Sequence, residues 1–402
     1  MNQQLKVAGR AQVPPFGVMR ILARVTELRS AGRDVISLCA GEPGSGAPAA
    51  VSAAAARIHA EARPLTYTPA LGITELRAAI AGHYQRWYGI EVPVRNVAVT
   101  TGSSGAFMLG FLAAFNPGDR VALARPGYPA YRNILRALGV DVVEIDCGPE
   151  TRYQPTPGQL AAASREHGPL AGLILASPAN PTGTMVTRAE FEALTRWCAE
   201  NAVRLVSDEI YHGITYPAPG AEDARGVCAW ELGRDSMVIS SFSKYWGMTG
   251  WRLGWALVPN DLIDAVDALA GNVALCPPAP AQYAALAAFD EESYAQADRE
   301  VEAFAATREA LLANLGRLGW GAAAPADGAF YFYAELGGAL GSFADAGEYC
   351  AALLEEEGVA LVPGADFDSA AGRKAVRLSF AAGHEAVLGA IERIIRFQSK
   401  VR

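Results

Sequence analysis

Histidine and cysteine are scarce in this chain, and their spacing excludes more than their number does. The five histidines fall into no H-x₃-H or H-E-x-x-H pattern, so no protein-bound metal site is expected. The six cysteines, Cys39, Cys147, Cys198, Cys228, Cys276 and Cys350, form no C-x-x-C pair. Scattered thiols fit reduced residues of a cytoplasmic enzyme rather than a disulfide framework. Basic clusters are missing too: 34 Lys and Arg stand against 42 Asp and Glu, a net charge of −8. No Lys/Arg stripe is present to bind phosphate backbones, so nucleic acid is not an expected partner. No run of 18 apolar residues exists to span a membrane, and Met1–Lys6 lacks the apolar stretch of a secretory signal.

What remains is a chain of 402 residues, 51% of them hydrophobic, with enough material for two or three packed domains. Its middle alternates short apolar runs with amphipathic stretches. Strands are expected at Val97–Thr101, Arg120–Ala124, Val140–Ile145, Leu170–Ala176, Val203–Val206, Met237–Ser241 and Leu253–Val258. Helices are expected at Ala106–Phe115, Tyr128–Leu138, Arg188–Asn201 and Asp261–Gly271. Repeated βα units predict a mostly parallel sheet flanked by helices, with its ligand at the carboxyl ends of the strands. From Glu291 the pattern changes: Tyr294, Ala297, Val301, Phe304, Leu311 and Leu315 mark one long helix. Strands at Ala329–Tyr333, Val359–Val362 and Ala375–Phe380 follow. The whole reads as α/β: an N-terminal arm and part of a small domain in residues 1–44, a large domain in 45–290, and a smaller α+β domain in 291–402.

The segment Ser241-Phe-Ser-Lys-Tyr-Trp-Gly-Met-Thr-Gly-Trp-Arg252 places Lys244 just after a buried strand. Burial disfavours an ammonium and so favours the free amine that imine chemistry needs. Two hydroxyls and a guanidinium nearby suit an anionic phosphate. Val206-Ser-Asp-Glu-Ile-Tyr211 puts Asp208 at the crevice end of another strand. Ser177-Pro-Ala-Asn-Pro-Thr-Gly183 is a turn after a third strand. Thr101-Gly-Ser-Ser-Gly-Ala106 joins a strand to a helix, whose exposed N–H groups attract anions.

In this order, from about Val35 to Ser379, these segments resemble the class I/II aminotransferases of fold type I, which depend on pyridoxal phosphate (PLP). The resemblance implies that Lys244 holds the cofactor as a Schiff base and then moves the substrate's Cα proton. Arg252, Ser241, Ser103, Ser104 and Gly105 would meet the phosphate, with Ser243 as a further candidate. Asp208 would hold the proton of the pyridine nitrogen, Tyr211 and Asn180 the phenolic oxygen, and Tyr128, in Pro126-Gly-Tyr-Pro129, the ring face. On the substrate side it implies Gly41, in Gly41-Glu-Pro43, Asn180 again, and Arg377, in Val376-Arg-Leu-Ser379, a natural bidentate partner for an α-carboxylate. Tyr67 would reach the phosphate of a neighbouring subunit, making the working unit a homodimer with shared sites.

The implied reaction moves an amino group from an L-amino acid to a 2-oxo acid. C–S lyases and aminocyclopropane-carboxylate synthases share nearly all these residues and are the alternative. A non-catalytic PLP-sensing regulator is a more distant one, expected to need a DNA-binding domain ahead of the match. A neutral or apolar donor is expected. The segment Pro14–Met19 is apolar, Ser104 stands where some dicarboxylate-using relatives place a lysine, and no further basic residue can be assigned to the pocket.

Overall fold

Most strands of the large domain are short and lead through turn residues into a helix. In the computed structural model, which describes residues 5–217 and 220–401, twelve strands form: β1 Ile36–Ser37, β2 Val97–Thr100, β3 Arg120–Arg125, β4 Asp141–Asp146, β5 Gly172–Ala176, β6 Arg204–Asp208, β7 Met237–Ser241, β8 Gly254–Leu257, β9 Tyr331–Glu335, β10 Val359–Ala360, β11 Val362–Pro363 and β12 Ala375–Ser379. Seven of them make one sheet in the order β2-β8-β7-β6-β5-β3-β4. Strands β2, β7 and β8 are buried at every position, as expected of a sheet covered on both faces. One apolar cluster contains Phe107, Phe111, Val121, Val206 and Ile239; a larger one contains Leu173, Leu205, Val238, Phe242 and Trp255. Alternate residues of a strand point to opposite faces, so each cluster packs on its own face of the sheet.

All neighbouring pairs are parallel except those of β8, which runs antiparallel to both β2 and β7. The reversal matters for the site. The β7–β8 connection leaves at Ser241 and returns opposite it at Gly254, so Lys244 and Arg252 emerge at the same edge. The other ligand-bearing strands end at that edge because they are parallel.

Beyond the long helix Glu291–Ala313, a three-stranded antiparallel sheet forms in the order β11-β12-β9. The helix buries Tyr294, Ala297, Phe304 and Leu311, which is the face the spacing predicts. The apolar run Val359–Val362 divides in two. Val359–Ala360 pairs in parallel with Ile36–Ser37, while Val362–Pro363 pairs with β12. The N-terminal segment thus joins the C-terminal elements through a strand pair and through the Arg24–Glu355 ion pair at 2.7 Å. The helix expected at Ala106–Phe115 begins four residues earlier, at Gly102. Its small first-turn residues read as a loop in sequence but accept helical geometry here.

Candidate active site

A cavity of about 530 Å³ opens at the carboxyl edge of the large sheet, between it and the small sheet. Lys244, Asp208, Tyr211, Tyr128, Asn180, Ser103, Ser104, Arg252, Gly41 and Arg377 all line it. They come from seven separated stretches of the chain, and parallel strand direction is what gathers most of them.

Lys244 Nζ donates to the Gly41 carbonyl oxygen at 2.7 Å. Burial is the main influence on this amine and pushes its pKa down to about 8; Glu42 opposes the shift, and Arg252 adds to it. Asp208 is buried, 4% exposed. Desolvation raises its pKa to about 6, against hydrogen bonds from the Tyr131 hydroxyl and the Ile210 amide. Tyr211 lies with its ring centre 5.9 Å from Lys244 Nζ, and its hydroxyl shares a 2.8 Å hydrogen bond with that of Tyr331.

Arg377 stands on β12, opposite Tyr333 and Val362. Its guanidinium donates to Asn180 Oδ1 at 3.0 Å and to the Cys39 carbonyl at 2.7 Å, and packs over the rings of Tyr331 and Phe367. Its Nε is buried and has no protein partner. A buried guanidinium with an unused donor costs free energy unless an anion completes it.

The far end of the cavity is a cradle for an anion. The first-turn amides of helix Gly102–Ala114 lie beside Arg252, whose own backbone is left-handed at φ 53° and ψ 50°. Close approach requires glycine at two points. A Cβ on Gly102 would lie 2.5 Å from Arg252 Nη2, and one on Gly254 would lie 2.7 Å from the Ser103 nitrogen. A half-buried amine, a buried carboxylate and a guanidinium beside helical N–H groups are the donors and acceptors that PLP requires, so the residues present fit the cofactor.

Three expected residues are not on the cavity wall. The Ser241 hydroxyl turns inward to the Leu253 carbonyl and to Ser243, at 3.0 and 2.7 Å. It is Ser243, the secondary candidate, that faces the cavity. Gly105 sits behind Ser104 in the first helical turn. Tyr67 is 80% exposed, away from its own chain's cavity.

Sequence reasoning missed Tyr131, Tyr331, Asp366 and Phe367. Only Tyr131 had a local signal: it follows Tyr128 by three residues in a helical pattern, a spacing that puts two side chains on one face. Their rings meet edge to face at 5.3 Å.

A fold of this kind, with a half-buried lysine at the strand edge and an anion cradle beside it, defines a PLP-dependent enzyme of fold type I. Residues 33–394 match the family model "Aminotransferase class I and II", and the chain belongs to that family. It is 50% identical over 390 residues to valine–pyruvate aminotransferase of Mycobacterium tuberculosis, covering 97% of each chain. A crystal structure of an aminotransferase from that organism superposes with a TM-score of 0.94 at 49% identity, covering 99% of this chain and 100% of the other. Aspartate aminotransferase of Thermus thermophilus, solved with maleate, matches with a TM-score of 0.89 at 33% identity over 98% of this chain and 100% of its own. The protein is a PLP-dependent aminotransferase, moving amino groups between amino acids and 2-oxo acids. Lyase chemistry and a regulator without catalysis, both open on sequence motifs alone, are set aside.

Proposed function

We propose that the donor is a neutral, apolar L-amino acid of the valine type and that a small 2-oxo acid such as pyruvate accepts the amino group. The observation that carries this reading is the charge on the cavity wall. Among the described residues only Lys244, Arg252 and Arg377 bring positive charge to it. With Lys244 and Arg252 given to the cofactor, Arg377 can meet one carboxylate. Phe16, Val18, Met19, Leu22 and Phe367 supply the apolar remainder. A second carboxylate without a cation would cost several kcal/mol, whereas each CH₂ removed from water gains about 0.8 kcal/mol. The 50% identity to a valine–pyruvate aminotransferase supports the same donor class.

The geometry supports the following residue roles. Arg252, the amides of Ser103, Ser104 and Gly105, and the Ser243 hydroxyl hold the phosphate, with Ser241 fixing Ser243 from behind. Asp208 keeps the pyridine nitrogen protonated, and Tyr131 holds Asp208. Tyr211 and Asn180 face the phenolic oxygen, and Tyr128 covers the ring. When bound, PLP supplies a conjugated ring that accepts the electron pair released at the substrate's Cα. Arg377 and the Gly41 backbone orient the donor by its carboxylate. Lys244 Nζ, uncharged once deprotonated, takes the Cα proton and later returns one. Phe16 and Tyr128, 5.9 Å apart, help to exclude water.

A homodimer belongs to this reading. Tyr67, which the resemblance sends to the phosphate of a neighbouring subunit, is 80% exposed, as that role requires. The test of donor class is kcat/KM for valine, leucine, methionine and phenylalanine beside aspartate and glutamate. A clear preference for aspartate overturns it.

A further inference from the structure

The cavity wall carries more negative charge than the reaction uses. Asp208 is assigned to the cofactor and Glu42 acts on Lys244, which leaves Asp366. Its carboxylate makes no ion pair among the described residues. Arg377, Arg20 and Arg132 face it from neighbouring elements; Arg132 is already paired with Glu144 at 2.9 Å, Arg377 donates to Asn180 and Cys39, and Arg20, which shares the adjoining cavity with Asp366, makes no ion pair with it among the described residues.

Asp366 is fixed from two sides. It ends the tight turn Gly364–Asp366, which packs so closely on Gly372 that a Cβ on Gly364 would lie 2.6 Å from the Gly372 carbonyl oxygen. The next two residues tie this turn to the loop before Tyr128. The Phe367 carbonyl accepts from the Gly127 amide at 3.0 Å, and Asp368 pairs with Arg125 at 3.2 Å. On the other side lies the start of helix Gly17–Ser30. A Cβ on Gly17 would stand 2.5 Å from Asp366 Oδ2 and 2.7 Å from its Cγ, and the Val18 amide bonds to the carboxylate. Glycine at 17 is what lets the helix start rest on Asp366. An anionic side chain at a helix start is favourable, and Phe16 and Val18 are carried onto the cavity wall by the same contact.

We propose that Asp366 determines donor specificity, by seating the apolar Phe16–Val18 segment on the cavity and by setting a fixed negative charge where a donor's second carboxylate would come. This rests on the apolar-donor reading. Apolar walls alone would only fail to reward a charged side chain; a fixed like charge repels it, which is how binding sites build discrimination against a competitor.

The experiment compares kcat/KM for aspartate and valine in the wild type, Asp366→Asn and Asp366→Ser. Asparagine keeps a side-chain oxygen for the Val18 amide and loses the charge. The aspartate-to-valine ratio is expected to rise tenfold or more in both variants, about 1.4 kcal/mol. A ratio within twofold of the wild type in both overturns the proposal even where absolute rates fall, and a rise confined to Asp366→Ser, which loses the helix contact as well as the charge, overturns the role of the charge. A second measurement uses inhibitors: the preference of the wild type for succinamate over succinate should shrink at least tenfold in Asp366→Asn, and an unchanged preference overturns the proposal, because the missing cation is common to both proteins. A wild type that prefers aspartate defeats the apolar-donor reading itself, whatever the variants do.

Discussion

The two ends of the cavity are built differently. The cofactor end is made from residues that follow strands of one sheet: Ser103 after β2, Tyr128 after β3, Asn180 after β5, Asp208 closing β6, Lys244 after β7 and Arg252 before β8. Its geometry is inherited from a buried sheet that tolerates little movement. The side-chain end is made from the start of an N-terminal helix and a turn at Gly364–Phe367, brought together across 349 residues by Gly17 meeting Asp366. On the roles proposed above, chemistry is fixed at the rigid end, and donor choice at the end where two distant segments meet. A fold that supports many donors benefits from this separation, since the meeting point can change without disturbing the sheet.

Substitutions at the rigid end should cost the most. On the proposed role of Lys244 as cofactor anchor and proton carrier, Lys244→Ala should lower turnover by at least about 10³-fold, within the range of general acid–base contributions. Borohydride reduction and peptide mapping should label Lys244 in the wild type; a label on another lysine would remove it from the centre of the site. Asp208→Asn should retain PLP and lose roughly 10²–10³ in rate, the usual loss for a preorganised electrostatic partner. Near-normal turnover would give Asp208 another role.

Arg377→Lys lies at the boundary between the two ends. It should weaken amino-acid binding by about 2–5 kcal/mol while PLP retention stays intact. A loss confined to PLP retention would move Arg377 to the cofactor end and break the comparison.

The smallest effect is expected from Tyr131→Phe. The phenol donates to Asp208 and opposes the desolvation that raises its pKa to about 6. Without that donor the folded-state pKa should rise further, so the carboxylate stays ionised only at higher pH. The acid limb of PLP binding by the cofactor-free protein should therefore move up by roughly one unit, equivalent to about 1.4 kcal/mol, with binding at higher pH less affected. An unmoved limb would show that Tyr131 packs against Asp208 without setting its proton affinity.

How much was readable in advance follows the same division. Lys244, Asp208, Asn180 and Arg252 could be found because each stands at a fixed offset from an apolar run, and a parallel sheet makes strand ends converge. Ser241 and Ser243 show the limit of that reasoning. They differ by two residues on one turn, and only the inward hydrogen bond of Ser241 to the Leu253 carbonyl leaves Ser243 at the wall. The helix beginning at Gly102 was placed late because Gly-Ser-Ser-Gly has weak helical propensity, which packing against β7 and β8 overrides. Asp366 had no signal at all: its surroundings contain an acidic residue in a Gly-rich turn, which is ordinary loop composition.

The sequence by itself marked most of the strands and the long helix at Glu291–Ala313, because these depend on local periodicity, and its motifs in their order resemble a family that uses PLP, with Lys244 as the implied Schiff-base lysine. Tertiary structure alone decided that β8 runs backward to return Arg252 beside Lys244, that Arg377 keeps one buried donor unpaired, and that Gly17 rests on Asp366. Each of these depends on contacts between residues far apart in the chain, where no local spacing records the distance.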